Sequence, residues 1–391
     1  MMLAASGATK ADIKVVSREK GDAAWEKVIP EHWRRMQEIL STEPKTVTVP
    51  LYLYPGESAP SKQNVYRNYQ TLLQDDKHAV AIAMLSRGKG DTATGYMDYK
   101  LWYRVSLDGG RSYGVEKPVI EQGAEFSAMH PNRFVWVGTN SFCYAAIPPF
   151  LPLSNGQFII PFYYAPLDAN GKYYNPLHAY TFSWVAVLIG TWNQRHDDII
   201  WQVSQNVRLE ADQSARGAGE CAVIELKKRG HLLMVTRGSN EPDPKGNLPA
   251  CKWKTVSTDY GQTWSPYTPL TYRDGQEFFS PSSCSSLFRS ERTGKVYWIG
   301  NISQTKPKGS RPRYPLVIAE LDEKTLGLKK ETVTIIDDFK PGDRAGMQLS
   351  NFEWVEEPKT GRVVIKLNRL SPPPAAATDD AGVHTYVIQL K

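Results

Sequence analysis

Two histidine-bearing loops and a scatter of arginines have the chemistry to act on a substrate. Met129-His130-Pro131-Asn132-Arg133 and Asn175-Pro176-Leu177-His178-Ala179-Tyr180 each place a histidine ahead of an apolar run. A histidine or tyrosine beside a carboxylate-binding arginine is what β-elimination from a uronic acid needs. The guanidinium neutralises the sugar carboxylate, the proton alpha to it becomes acidic, and the base removes that proton. Hydrogen bonding within the loop is the plainer role for either histidine. Other chemistries find little support. Cys143, Cys221, Cys251 and Cys284 are far apart and lack C-x-x-C spacing, so buried thiols fit better than metal ligands; one or two disulfides stay open. Asp197-Asp198 in Trp192–Asp198 has no flanking ligands at suitable spacing and reads as a solvated turn. Gly217-Ala218-Gly219 opens a strand and not a helix, so it is no dinucleotide motif. No cofactor is implied.

Composition narrows the substrate. Lys and Arg number 47 against 41 Asp and Glu, a surplus of +6 spread along the chain. Without an arginine run or zinc spacing this argues against nucleic acid and suits a small anionic substrate. The aromatic load is high, with 11 Trp, 20 Tyr and 12 Phe. Phe162-Tyr163-Tyr164 and Tyr173-Tyr174 fit a sugar-stacking platform or sheet packing. No run of 18 apolar residues occurs, so no membrane span is expected. The start, Met1 to Lys10, lacks the apolar core of a signal peptide. The expectation is a secreted or periplasmic protein whose leader is absent from this chain, with a cytoplasmic one as the alternative.

The elements that must position these residues are short β-strands. With 41% hydrophobic and 23% charged residues, the composition excludes disorder, collagen and coiled coil. One helix is expected over residues 22–41, with Trp25, Val28, Trp33, Met36 and Leu40 on one face. Beyond it the chain alternates β-type runs with Gly, Pro, Asn and Asp turns. Four segments share one pattern of tight turn, glycine, variable residue and apolar run. They begin at Asn155-Gly156, Arg229-Gly230, Thr293-Gly294 and Thr360-Gly361, at glycine intervals of 74, 64 and 67 residues. A unit of that length suits a four-stranded antiparallel sheet with one long connection, and such sheets packed radially make a β-propeller. A β-sandwich is the alternative. Five repeats are legible, counting a looser one at Asp76–Ile82, and residues 119–144 are expected to hold part of a sixth. The fold class is therefore all-β, a propeller of six blades with five as the other count. Its domain spans residues 45–391 behind an N-terminal helical extension, 1–44, and Thr46–Leu53 is the candidate strand for completing the C-terminal blade.

Two octapeptides sharpen this. Ser106-Leu107-Asp108-Gly109-Gly110-Arg111-Ser112-Tyr113 and Ser257-Thr258-Asp259-Tyr260-Gly261-Gln262-Thr263-Trp264 both fit S-x-D-x-G-x-[ST]-aromatic, and each follows a β run. The carboxylate can accept turn N–H bonds, the glycine can take positive φ, and the aromatic can pack below. The pattern resembles the Asp box of the sialidase superfamily, and the resemblance extends over roughly residues 60–370. It implies three arginines that grip a substrate carboxylate. In that order Arg67, in Tyr66-Arg67-Asn68-Tyr69, is the first, although the usual Ile-Pro is missing. Arg237 after Leu232–Thr236 is the second, and Arg313 in Arg311-Pro312-Arg313-Tyr314 is the third, with Arg311 as a substitute. Arg87 and Asp91 in Ser86–Asp91 resemble the arginine and acid/base aspartate of the first blade, with Asp98 as a rival. Glu220 in Gly219-Glu220-Cys221 matches the glutamate that polarises the nucleophile.

The pattern breaks at the nucleophile. Where the family carries a tyrosine, Gln348-Leu349-Ser350 places Leu349, which cannot form a glycosyl–enzyme bond. Tyr314, Tyr180 and Tyr272 are the candidates to replace it. The resemblance implies an exo-acting hydrolase for a terminal acidic sugar, with Asp91 and Glu220 dividing the carboxyl roles. A uronate lyase using His130, His178 or a tyrosine is the first alternative, and a non-catalytic glycan-binding propeller the second.

Overall fold

The computed structural model describes residues 13–43, 46–48, 62–90, 97–136, 139–140, 142–144, 150–371 and 380–391. For 46–48, 62–68, 84–90, 97–100 and 142–144 it describes the backbone alone. The chain divides into two compact units, Pro30–Pro269 and a second made of Leu270–Lys391 with the residues up to Ile29. Among the described residues there are five antiparallel sheets, four of strands close in sequence and one completed by the first strand of the chain.

The unit Pro30–Pro269 carries three of them. The first runs Thr46–Thr48, Lys62–Leu73, Ala79–Gly90, Met97–Ser106 and Lys117–Pro118. The second runs Phe142–Tyr144, Phe158–Tyr164, Trp184–Trp192 and Ile199–Val203. The third runs Gly219–Glu225, Leu232–Arg237, Lys252–Ser257 and Thr268–Pro269. The other unit has Ser286–Arg289, Val296–Asn301, Leu316–Asp322 and Gly327–Leu328 in one sheet. Its second sheet takes the order Ile13–Lys20, Gly382–Leu390, Arg362–Leu370, Gln348–Glu356. Strands in the middle of sheets, such as Phe158–Tyr164 and Leu232–Arg237, are buried almost throughout. An outer strand such as Ile199–Val203 alternates buried and exposed, as a half-solvated strand must.

The repeat seen in the sequence is a repeat of turns. Gly156, Gly230, Gly294 and Gly361 all adopt positive φ, +85°, +76°, +67° and +64°, just before the strands beginning at Phe158, Leu232, Val296 and Arg362. Glycine occupies that region without steric cost.

Three expectations are corrected. Among the described residues the sheets number five, the alternative count, and not six. Residues 119–136 are held by isolated bridges, Ser127 with His130 and Asn132 with Val135, and by side-chain caps such as Asn132 Oδ1 on the Phe134 N–H. Local partners satisfy that backbone, so no further sheet forms there. Phe142–Tyr144 joins the second sheet instead. The C-terminal sheet is completed by Ile13–Lys20, whose Ile13 pairs with Leu390 and is buried. Thr46–Thr48 pairs with Lys62–Asn64 in the first sheet, and 49–53 lie outside the described residues. The single helix over 22–41 is two, Ala23–Glu26 and Glu31–Thr42. Pro30 separates them because it restricts the residue before it to extended backbone, while its own fixed φ suits a helix start.

The two octapeptides fold alike. Asp108 Oδ1 accepts the N–H groups of Arg111 at 3.0 Å and Ser112 at 2.9 Å, and Ser106 Oγ accepts that of Gly110 at 2.8 Å. Asp259 Oδ1 accepts the Thr263 N–H at 3.0 Å, and Ser257 Oγ that of Gly261 at 2.8 Å. Gly110 and Gly261 have φ of +81° and +86°. Trp264 packs against the cluster that includes Leu232 and Met234. In the third sheet this turn follows Ser257, while Arg237 pairs with Lys252 at the opposite end. Five residues of strand put about 17 Å between them.

The helix Glu31–Thr42 adds a pH dependence. His32 lies against Gly110, and burial lowers its pKa to about 4. An unfolded histidine takes its proton near 6.5, so this contribution to stability is full above that pH and is lost as pH falls from 6.5 to 4. Asp108, held at about 2 chiefly by the Ser112 hydroxyl and N–H, loses its contribution only between 3.8 and 2. The urea midpoint is expected to decline between pH 6.5 and 4 in the wild type, and His32→Gln to flatten that limb.

Candidate functional site

In the unit Pro30–Pro269 the third sheet builds a charged pair at the end away from the octapeptide turn. Gly219 pairs with Arg237 and Ala222 with Val235, so the first strand carries one extra residue over that interval. This is a β-bulge, which bends the strand and re-aims a side chain. Glu220 sits in it at φ +50°, a region costly for a side-chain-bearing residue. Thr236 pins the bulge: its hydroxyl accepts the Gly219 N–H at 2.9 Å and donates to the Gly219 carbonyl at 2.6 Å. The guanidinium of Arg237 lies over Gly219, where a β-carbon would stand 2.9 Å from Nη2. Only glycine leaves that space. Arg237 is 2% exposed, and its Nε lies 3.4 Å from Glu220 Oε1, whose side chain is about a quarter exposed.

Lys252 escaped the sequence reading. It stands directly opposite Arg237 and is fully buried. Opposed residues share a face of the sheet, so a buried lysine stands beside the buried arginine that pairs with Glu220. The available signal was its place five residues before the turn serine, Ser257, on the strand after Arg237. The backbone beside Glu220 is fastened to Thr181–Ser183. The Ala218 N–H donates to Ser183 O at 2.9 Å, and Arg216 hydrogen-bonds the Thr181 hydroxyl. Arg216 also lies 5.8 Å above the ring of Tyr180, which is almost fully solvent-exposed.

The two histidines differ. His130 stacks on Trp136 at 4.4 Å, and its Nδ1 lies 2.8 Å from the Val135 carbonyl. A carbonyl only accepts, so Nδ1 carries the hydrogen and Nε2 of the neutral ring is an acceptor. His178 is on an exposed turn at φ +50°, with its N–H on the Asn175 carbonyl. Phe162 and Tyr164 are buried, and the Tyr173 hydroxyl donates to the Phe182 carbonyl at 3.0 Å, so these aromatics pack the sheet. Asp198 accepts from Lys117 at 2.7 Å and Tyr103 at 2.8 Å, and Asp197 from Asn193, which makes the Asp-Asp pair a hydrogen-bonded turn. Among the described residues no cluster of His, Cys, Asp and Glu could hold a metal ion. Cys221 and Cys251 are buried, and Cys284 is half-buried.

Arg67 and Arg87 lie on paired strands of the first sheet, where Arg67 opposes Leu85 and Arg87 opposes Val65. Their side chains, that of Asp98 and the whole of Asp91 fall outside the described residues.

Arg313 belongs to the other unit. Its Nε donates to the Ser310 carbonyl at 3.0 Å and its Nη1 to the Ser350 hydroxyl at 3.3 Å, while its own carbonyl accepts the Leu349 N–H at 2.9 Å. Arg311 is exposed. Leu349 is fully buried in the core cluster with Met347, Phe352 and Leu367. Its side chain therefore faces packing. Leu349→Tyr is expected to destabilise by about 1–3 kcal/mol through overpacking and to install no nucleophile, which urea unfolding and an activity assay would check. Of the other tyrosines, Tyr272 is buried against Phe278, while Tyr314 is half-buried and packs on Phe339.

No known family pattern matches the chain, and no curated protein matches it. Solved structures do. The Hadza microbial sialidase Hz136 aligns with a TM-score of 0.50 at 12% identity, covering 83% of this chain and 52% of that one. NanB with Optactamide aligns at 0.45 and 14% identity, over 90% and 45%. An N-acetylgalactosamine deacetylase from F. plautii, in complex with blood group B trisaccharide, aligns at 0.44 and 10%, over 89% and 94%. The chain spans about half the length of the first two. The likeness to the Hadza protein is one of fold, and the fold is a sialidase-like β-propeller.

Proposed function

We propose that this chain is a glycan-cleaving enzyme that recognises a terminal acidic sugar through Arg237 and uses Glu220 as a carboxyl catalyst. The observation that carries the reading is the Glu220–Arg237 pair. A buried guanidinium lies across a glycine, beside a carboxylate held at positive φ in a bulge. Such a conformation persists only where the surroundings impose it, and it is common at functional sites. Arginine's planar fork suits a sugar carboxylate. The resemblance in sequence order assigns substrate binding also to Arg67, Arg87 and Arg313, and the acid/base role to Asp91. With Leu349 in the core, the tyrosine route has no residue there, and direct attack by water, assisted by a carboxylate, is the hydrolytic chemistry that the named residues support.

A second reading is elimination from a uronic acid, favoured by His130. Its ring orientation is set by Val135 and Trp136 and its Nε2 is an acceptor, as a base requires. The test is incubation with panels of sialosides and of uronic-acid oligosaccharides, following reducing ends and ultraviolet absorbance together, with Arg237→Ala as control. Reducing ends without absorbance support the hydrolase. New absorbance transfers the reaction to the lyase class. Silence of wild type and variant on every substrate overturns both and leaves glycan binding alone.

A further inference from the structure

The unit containing Leu270–Lys391 holds a serine-rich stretch, Ser280–Ser290, that splits into two sets. In one set each hydroxyl has a partner. Ser280 donates to the Asn301 carbonyl at 2.7 Å and Ser283 to Asn301 Oδ1 at 2.9 Å. Ser286 accepts from Trp354 at 2.8 Å, and Ser290 donates to Glu356 at 2.7 Å. In the other set Ser282 and Ser285, each 2% exposed, have hydroxyls with no hydrogen-bond partner, and so does nearby Ser303 at 6%. Buried hydroxyls are nearly always bonded, so three together ask for an explanation.

Two of the three are tied to the segment that carries Arg313. The Ser282 N–H donates to the Gly309 carbonyl at 2.9 Å, one residue before the Ser310 carbonyl that accepts from Arg313. Ser283 is tied to Asn301, whose Nδ2 donates to the Arg313 carbonyl at 3.2 Å. The Ser303 N–H donates to the Phe279 carbonyl at 2.8 Å. Phe279 and Phe339 are unusually exposed for phenylalanine, and Phe339 packs on Tyr314, the residue after Arg313. Ser282 is thus bonded to, and Ser303 lies on, the segment 301–313 that ends at this half-buried guanidinium, and Ser285 follows Ser282 by three residues. Phe279 touches the same segment through Ser303, and Phe339 touches Tyr314 just beyond it.

We infer that Ser282, Ser285 and Ser303 are specificity-determining residues that bind the hydroxyl groups of an acidic sugar whose acidic group is held by Arg313. The inference rests on the acidic-sugar reading above. A serine hydroxyl both donates and accepts, which matches a sugar hydroxyl. A change of χ1 rotamer, a small rearrangement, turns it toward a ligand. The exposed phenylalanines suit the apolar face of a pyranose.

The test is calorimetric titration of the full chain with glucuronate, with N-acetylneuraminate, and with cyclohexanecarboxylate, which keeps the carboxylate and ring without hydroxyls. The triple variant Ser282→Ala, Ser285→Ala, Ser303→Ala is expected to lose about 30-fold or more in affinity for a sugar acid, at about threefold to tenfold per hydroxyl. Its affinity for cyclohexanecarboxylate should change less than twofold, while Arg313→Gln weakens all three. Because the hydroxyls are unbonded without ligand, the triple variant should melt no lower than wild type, and the single variants give the same comparison if it folds poorly. Unchanged sugar-acid affinity, or a lower melting temperature with an unchanged ratio between probes, overturns the inference and makes the serines ordinary water-bonded core. If the sugar acids bind in a way sensitive to Arg237→Ala and not to the serines, this inference falls and the acidic-sugar reading survives. If wild type binds neither sugar acid, both fall.

Discussion

On the proposed function, Arg237→Ala is expected to lower kcat/KM on the acidic glycan by about 10²–10³ or more, the scale of truncating a buried charged partner. The guanidinium is 2% exposed and 3.4 Å from Glu220 Oε1, so on the proposed function its removal takes the counter-charge from both the ligand's carboxylate and that of Glu220. Arg237→Lys separates charge from shape. It keeps the cation but loses the planar fork, and its kcat/KM should fall between the two. Glu220→Gln provides the complementary measurement. If Glu220 assists proton transfer, kcat falls about 10²–10⁴-fold with KM little changed. A rise in KM with intact kcat would instead make Glu220 a partner that orients Arg237. Steady-state kinetics on the three variants distinguishes these outcomes, provided that their urea midpoints stay near wild type.

The second large effect is on folding. Arg369→Met is expected to destabilise the unit that contains it by about 3–5 kcal/mol, the cost of breaking a buried ion pair from one side. Arg369 is fully buried. It donates to the carboxylates of Asp337 and Asp343, and its Nε donates to the Asp380 carbonyl at 2.9 Å. The Tyr386 hydroxyl donates to Asp337 at 2.6 Å, and Arg18 Nε to Tyr386 at 3.0 Å. Lys340 Nζ lies 3.0 Å from Asp380 and 3.4 Å from Asp337. Without Arg369 the carboxylate of Asp343 is left buried. Adding Asp343→Asn to Arg369→Met should recover part of the loss, because removing both partners leaves no orphan charge, and a double-mutant cycle by urea unfolding reads the coupling. The network also predicts a sign with pH. Burial alone would raise the Asp380 pKa, but hydrogen bonds from Lys340 and Arg18 outweigh it and hold the carboxyl well below the usual range. Its contribution is present above about pH 4 and is lost only as pH falls toward the folded value.

Much of the fold was legible because β-hairpins are local. A glycine at positive φ, followed by a run of apolar β-formers, specifies turn and strand within ten residues, and it recurs at Gly156, Gly230, Gly294 and Gly361. The octapeptides at Ser106 and Ser257 were readable for the same reason, since their carboxylates bond N–H groups three or four residues on. The blade count was less legible. Residues 119–136 have strand-like composition, yet their N–H groups find caps and bridges within the loop. Which strand completes the C-terminal sheet depends on Ile13 meeting Leu390 across nearly the whole chain.

The site divides along the same line. By itself the sequence determined the hairpin turns, the order of Glu220 before Arg237, and the absence of tyrosine at Leu349, because each lies within a segment of two dozen residues or fewer. Only the tertiary structure decided that Gly219 makes room for the Arg237 guanidinium and that Lys252 stands buried beside it. It alone decided that Leu349 faces the core, that the buried Ser282, Ser285 and Ser303 hydroxyls lack hydrogen-bond partners, and that Arg369 is enclosed by aspartates. Burial, pairing register and the partners of a charge are set by contacts between residues distant in the chain, and those contacts exist only once the strands have paired.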